Sequence, residues 1–213
     1  MDRLGVDYID SFLMHWPEVS SKCTDKWRTL SETWRALESL YDSGLCKAIG
    51  VSNYGIEEFE KLMDDFSIKP HINQIEFHPY NNQRDLRQYC QDHKIVVQGY
   101  CPLGNGNLVN EDIVKQMAKR HNKTPAQVLI RWSIQNGVPT IPKSTKEKRV
   151  EENFKVFDFE LTESDMNLLN GLHDGRKYID GSQIKEKIDD QKPDGYKLDP
   201  NVLQVIKNNR QMS

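Results

Sequence analysis

The stretch Ile141-Pro142-Lys143-Ser144-Thr145, followed by Arg149 and the pair Glu152-Asn153, combines residue types suited to binding an anion. An apolar run ends there in a lysine and two hydroxyl residues, and a helix begins. Ser144 stands three residues before Glu147, the spacing of a capping box, which predicts a helix opening at Ser144. Free backbone N–H groups at a helix start attract anions, and Lys143 and Arg149 would bring two positive side chains to the same place. That combination suits a phosphate with more charge than a phosphodiester bears. The same spacing fits a strand end followed by a capped, charged surface helix, so the rest of the chain must decide.

The elements that must position these residues alternate between short apolar strands and amphipathic helices. Strands are expected at Tyr8–Trp16, Lys47–Ser52, Ile72–His78, Ile95–Pro102 and Val138–Pro142. Thr29 with Glu32 reads as a capping box before a stripe of Trp34, Leu37, Leu40 and Tyr41, and Gly44 supplies the stop. Thr124-Pro125 with Gln127 is a second box, before Val128, Leu129, Trp132 and Ile134. Thr162 with Asp165 opens a late helix carrying Met166, Leu168, Leu169 and Leu172. Strand followed by helix, repeated, implies parallel strands with right-handed crossovers. Polar residues gather at the strand C-termini: His15, Ser52-Asn53, Gln74 with Glu76, Tyr100 and Lys143-Ser144. A β/α barrel places its active site at that edge, with phosphate sites late in the barrel. A doubly wound sheet would also bind there, but its Gly-rich first turn is missing.

The 213 residues, 37% hydrophobic and 29% charged, describe a globular chain. A net charge of −3 gives no general attraction to nucleic acid or to an anionic membrane, so any phosphate affinity must be local. The 4 cysteines are widely spaced without a CxxC pair, which reads as free thiols and not as a zinc site or disulfide framework. No apolar run approaches the roughly 18 residues of a membrane helix, and the first residues lack the apolar core of a signal peptide. A cytoplasmic location is expected. After about Gly175 the composition turns polar, predicting a surface arm with a short helix at Val202, Leu203, Val205 and Ile206.

Several phrases resemble the aldo-keto reductases. They are Leu4-Gly5-Val6-Asp7-Tyr8-Ile9-Asp10 leading into Leu13-Met14-His15-Trp16-Pro17, then Gly50-Val51-Ser52-Asn53-Tyr54, and Asn73-Gln74-Ile75-Glu76-Phe77-His78-Pro79-Tyr80. Gly99-Tyr100-Cys101-Pro102-Leu103-Gly104 follows, and Ile141-Pro142-Lys143-Ser144 with Arg149, Glu152 and Asn153 comes last, all in family order. The resemblance implies an α/β fold, the (β/α)8 TIM barrel of the aldo-keto reductase type, with this chain supplying about strands 4 to 8 as a partial barrel. Residues 1–175 would form that part and 176–213 a C-terminal arm.

The same resemblance implies transfer of hydride from NADPH to the carbonyl of a small aldehyde or ketone, in an enzyme that is usually monomeric. His15 would hydrogen-bond the substrate carbonyl, and Trp16 would line the substrate pocket. Ser52, Asn53 and Gln74 would bind the nicotinamide carboxamide, whose one acceptor and two donors match hydroxyl and amide side chains. Tyr100 would stack on the nicotinamide ring. Cys101 stands where the family has serine and would act through its backbone, beside Leu103. Lys143, Ser144, Thr145 and Arg149 would hold the 2′-phosphate that separates NADP(H) from NAD(H). Glu152 and Asn153 would contact adenine, although Glu152 reads equally well as a solvated helix residue. The loop from Leu103 to Val109 resembles the compact loops of prostaglandin F synthase-like and bacterial reductases. The family's proton-donating tyrosine, with its lysine and aspartate, belongs to earlier strands, and Tyr8 and Tyr54 stand in the wrong places to replace it. A catalytically inactive cofactor-binding or interaction module from the same barrel is the alternative expectation.

Overall fold

Each strand is followed by a helix, the connection parallel strands require because successive strands start from the same edge. β1 (Phe12–Met14) leads to α1 (Lys26–Asp42), and β2 (Ile49–Ser52) to α2 (Ile56–Leu62). β3 (Ile72–Glu76) leads to α3 (Arg84–Asp92), and β4 (Val96–Tyr100) to α4 (Asp112–Arg120). Then come α5 (Pro125–Gln135), α6 (Glu147–Phe154) and α7 (Glu163–Asn170). Neighbouring strands pair in the order β1-β2-β3-β4. The computed structural model describes residues 4–179 together with Gly181, Ile184 and Ile188. The tail helix expected at Val202, Leu203, Val205 and Ile206 lies outside the described residues. No helix among the described residues is long and apolar enough to cross a membrane.

The chain divides into two units, with the boundary between Asn73 and Gln74 inside β3, and Gln74–Ile179 forming the second. In the first, β1 and β2 run parallel with Phe12 opposite Ile49 and Met14 opposite Val51. The strand expected over Tyr8–Trp16 is shorter than its apolar run: an isolated bridge joins Ile9 to Cys46 ahead of β1. Pro17 lacks an N–H and cannot extend the ladder. The start of α1 also differs from expectation. Asp25 caps it, accepting from the Arg28 N–H at 3.0 Å, while the Thr29 hydroxyl turns back to the Asp25 carbonyl at 2.9 Å. The helix simply begins a turn earlier than the Thr29–Glu32 pattern. Gly44, at φ +75°, follows the helix end as expected. Trp34, Ile49, Val51 and Phe59 are wholly buried in this unit's core, and Trp34 donates to the Ile68 carbonyl at 3.0 Å.

In the second unit both expected boxes are present, at Thr124 with Gln127 and at Thr162 with Asp165. The α5 stripe buries Val128, Leu129 and Trp132. The last expected strand, Val138–Pro142, reduces to a single parallel bridge between Gly99 and Thr140. Gly99 donates to Pro139 O at 2.8 Å and Ile141 donates to Gly99 O at 3.1 Å. Pro139 and Pro142 have no N–H to add, so the ladder stops there.

Asp165 also anchors α7 to α4. Its carboxylate is buried, with Arg120 at 2.6 Å and His121 at 2.7 Å. Burial alone would push that carboxyl up, but hydrogen bonds from His121 and Thr162 and the Arg120 charge outweigh it and hold the carboxyl below the aspartate range. A depressed carboxyl contributes stability above the unfolded-chain value of about 3.9 and loses it as pH falls through the lower folded value. Urea midpoints measured from pH 6 down to pH 2 should therefore fall more steeply for the native chain than for Asp165→Asn. Parallel curves would contradict the assignment.

Candidate functional site

The second unit contains a cavity of about 960 Å³. Most of its walls come from four places that the helix starts and strand ends bring together, and Ile179 adds to them. Tyr100, Cys101, Pro102 and Leu103 enter from the end of β4, and Asn105 and Val109 from the loop behind it. The first turn of α5 gives Thr124, Pro125 and Ala126. Lys143 and Ser144, then Arg149, Glu152 and Asn153 of α6, close the other side. Among the second unit's residues chosen from the sequence, Gln74 and the exposed Thr145 do not line the cavity. Gln74 donates its amide to Gln98 Oε1 at 2.7 Å.

The helix start at this cavity corrects one expectation. Ser144 does not cap α6: its hydroxyl accepts from the Lys146 N–H at 3.1 Å, and Lys146, in extended conformation, is the N-cap. A serine bonding two residues ahead closes a local turn and leaves its oxygen short of the helix proper. Among the described residues no side chain caps α6, so its opening N–H groups are left without a side-chain acceptor. Lys143 and Arg149 are exposed at the rim. Glu152 is half-buried and tethered, accepting from Thr124 Oγ1 at 2.7 Å, while Gln127 donates to the Glu152 carbonyl at 3.2 Å. That geometry favours a fixed wall residue over a freely solvated one.

Tyr100, another lining residue, is half-buried. Burial first, then the Glu76 carboxylate, pushes its phenol well above the ordinary tyrosine range. Cys101 adopts φ +52°, which turns the chain sharply out of β4. Its thiol lies 3.4 Å from Asn105 Oδ1 and donates to it. Burial pushes that thiol up as well, so at neutral pH it remains protonated and a poor nucleophile.

The remaining candidates belong to the first unit. Asn53, at φ +63°, sits in the left-handed region that asparagine tolerates, just past β2. Its Nδ2 donates to the His15 carbonyl at 2.9 Å and to Ser52 Oγ at 3.2 Å, so the ends of β1 and β2 are brought together there. The His15 side chain is exposed, with the half-buried Trp16 ring 6.2 Å away between centroids. Tyr54 is buried, and its hydroxyl has no hydrogen-bond partner among the described residues.

The aldo/keto reductase family model matches residues 1–174. The chain belongs to this family. It is 46% identical over 173 residues to glyoxal reductase of Bacillus subtilis, a match covering 81% of this chain and 60% of that protein. It is 43% identical to an oxidoreductase of Caenorhabditis elegans, over 96% of this chain and 63% of the relative. Among solved structures it resembles an aldo-keto reductase from a Medee basin deep-sea metagenome library, with TM-score 0.78 and 36% identity over 84% of this chain and 66% of that one. The chain thus spans between 60% and 63% of the length of those two relatives. Structures of the family are (β/α)8 barrels, and the parallel four-stranded sheet here is part of that class of fold.

One group in this member of the family is not singled out by the sequence. Glu76 and His78 are both buried, with His78 Nε2 3.0 Å from Glu76 Oε1. A carboxylate can only accept, so the Nε2 proton faces Glu76 and the other ring nitrogen, Nδ1, is left buried without a partner among the described residues. Burial would raise the Glu76 carboxyl, but bonds from His78 and from the Tyr178 and Ile179 backbone hold it below the glutamate range. The signal was present: glutamate and histidine two apart at a strand end share one face.

Proposed function

We propose that the chain is part of an NADP(H)-dependent aldo-keto reductase, supplying about strands 4 to 8 of the barrel. The observation that carries this reading is that Tyr100, Lys143 and Arg149 line one and the same cavity. An aromatic platform and a pair of cations suit the two ends of a phosphorylated dinucleotide. Arg149 offers a planar fork and Lys143 a point charge, a pairing matched to the 2′-phosphate, with Ser144 and Thr145 as neighbouring hydroxyl donors. Glu152, oriented by Thr124, and Asn153 would take the adenine edge. Tyr100 would stack on the nicotinamide, with Cys101 and Leu103 beside it.

Bound NADPH supplies the hydride. His15 would donate a hydrogen bond to the carbonyl of a small aldehyde or ketone, near Trp16, and Ser52, Asn53 and Gln74 would complement the carboxamide. Residues 1–175 constitute the barrel portion and 176–213 the arm in this reading, with a cytoplasmic location, and full-length members of the family are usually monomeric. Tryptophan fluorescence titration of the chain with NADPH and NADH tests it. NADPH should bind more tightly, and Arg149→Ala should weaken NADPH about tenfold or more while leaving NADH within about threefold, because only NADPH offers the phosphate to the guanidinium. Equal losses for both dinucleotides would overturn the 2′-phosphate role.

A further inference from the structure

The Tyr178 peptide is held from both sides. Its N–H donates to Glu76 Oε1 at 2.7 Å, and the next N–H, of Ile179, donates to Glu76 Oε2 at 3.2 Å. Its carbonyl accepts from Asn105 Nδ2 at 3.3 Å, and Asn105 Oδ1 in turn accepts from the Cys101 thiol. The Tyr178 ring meets His78 edge-on, with centroids 5.3 Å apart. On its other flank it lies over Gly104, where a methyl group would come within 2.7 Å of the ring. Ile179, next along, is itself a wall of the cavity that contains Tyr100.

A buried carboxylate that accepts two consecutive backbone N–H groups fixes two adjacent peptide planes far better than a neutral acceptor does, because both bonds are charge-assisted. Among the described residues, helix and sheet ladders do not employ these N–H groups, and Glu76 is the acceptor of both. We propose that Glu76 is a positioning residue whose carboxylate latches the Tyr178–Ile179 backbone as one wall of the cofactor cavity and thereby sets how fast the cofactor leaves. The inference rests on reading that cavity as the NADP(H) site. Asn105 is the second half of the latch, and the Glu76–His78 bond keeps the carboxylate aimed at it.

The test compares the full chain with Glu76→Gln and Asn105→Gly. Glutamine keeps one acceptor but presents an NH₂ group to the other backbone N–H, and glycine keeps the positive φ of Asn105 while removing its amide. Stopped-flow displacement should show NADPH leaving Glu76→Gln about tenfold faster or more, the scale expected for losing a bond to a charged acceptor. Hydrogen exchange of the Tyr178 and Ile179 amides should speed up by a similar factor while amides of α5 stay protected. The preference for NADPH over NADH, set at α6, should be unchanged. If Glu76→Gln does not fold, Asn105→Gly carries the same comparison with a smaller acceleration. Unaltered release and unaltered exchange of those two amides in a folded variant would overturn the latch. If the native chain binds no NADPH, the cofactor reading fails, and the exchange of the two amides decides the latch by itself.

Discussion

Trp132→Ala is expected to lower the free energy of unfolding by about 3–5 kcal/mol, the range for deleting a fully buried aromatic. Trp132 has no exposed surface and stacks on Phe77 with centroids 4.7 Å apart and planes 21° from parallel. The Arg87 guanidinium lies 5.2 Å from the same Phe77 ring, so the side chains on either flank depend on that stack. The indole N–H donates to Asn170 Oδ1 at 2.9 Å, which ties α5 to the end of α7. Alanine would leave a cavity and strip a partner from Asn170 at once. Urea unfolding followed by far-UV circular dichroism measures the loss. Trp132→Phe should recover most of the packing but not the hydrogen bond, and so fall between. A loss below about 1 kcal/mol for alanine would mean that the site collapses around the deletion and is not a rigid part of the core.

Gly50→Ala is expected to be about as damaging, for the opposite reason. A methyl group there would lie 2.5 Å from the Ile72 carbonyl oxygen and 2.7 Å from Leu13 Cδ2. Leu13 stands directly opposite Gly50 in the β1–β2 register, and Ile72 opens β3, so the central strand is crowded from both sides. The Leu13 methyl can rotate away, but a backbone carbonyl cannot move without disturbing its strand. Overpacking in a closed core costs about 1–3 kcal/mol and occasionally more, and a backbone clash this short belongs at the upper end. Gly171→Ala is the control: its nearest neighbour would be 3.3 Å away, so a change under about 1 kcal/mol is expected. Comparable urea midpoints for the two variants would contradict the argument.

What the chain reveals locally is what neighbouring residues decide among themselves. Thr124 and Thr162 cap their helices from within the same turn, and the α5 stripe announces its buried face through spacing alone. Where two local solutions compete, local reading fails. Ser144 and Glu147 have capping-box spacing, yet the nearer Lys146 N–H captures the serine hydroxyl. Asp25 similarly pre-empts Thr29, and the prolines at 139 and 142 cut an apolar run down to one bridge. In the site, residue type and order sufficed to select Tyr100, Lys143, Arg149, Glu152 and Asn153, which do line one cavity, but not to tell them from Ser52, Asn53, Gln74 and Thr145, which do not.

The family, the alternation of strands and helices, and the residue types at the strand ends were legible residue by residue, because each of these is written in short patterns along the chain. Which of those residues share a surface depended on the packing of the strands and helices. Thr124 reaches Glu152 across 28 positions, and Glu76 reaches Tyr178 across 102. Bonds that span so much chain have no periodicity to betray them. They exist only once the strands have paired and the helices have packed, when a buried carboxylate must take whatever donors the fold brings to it.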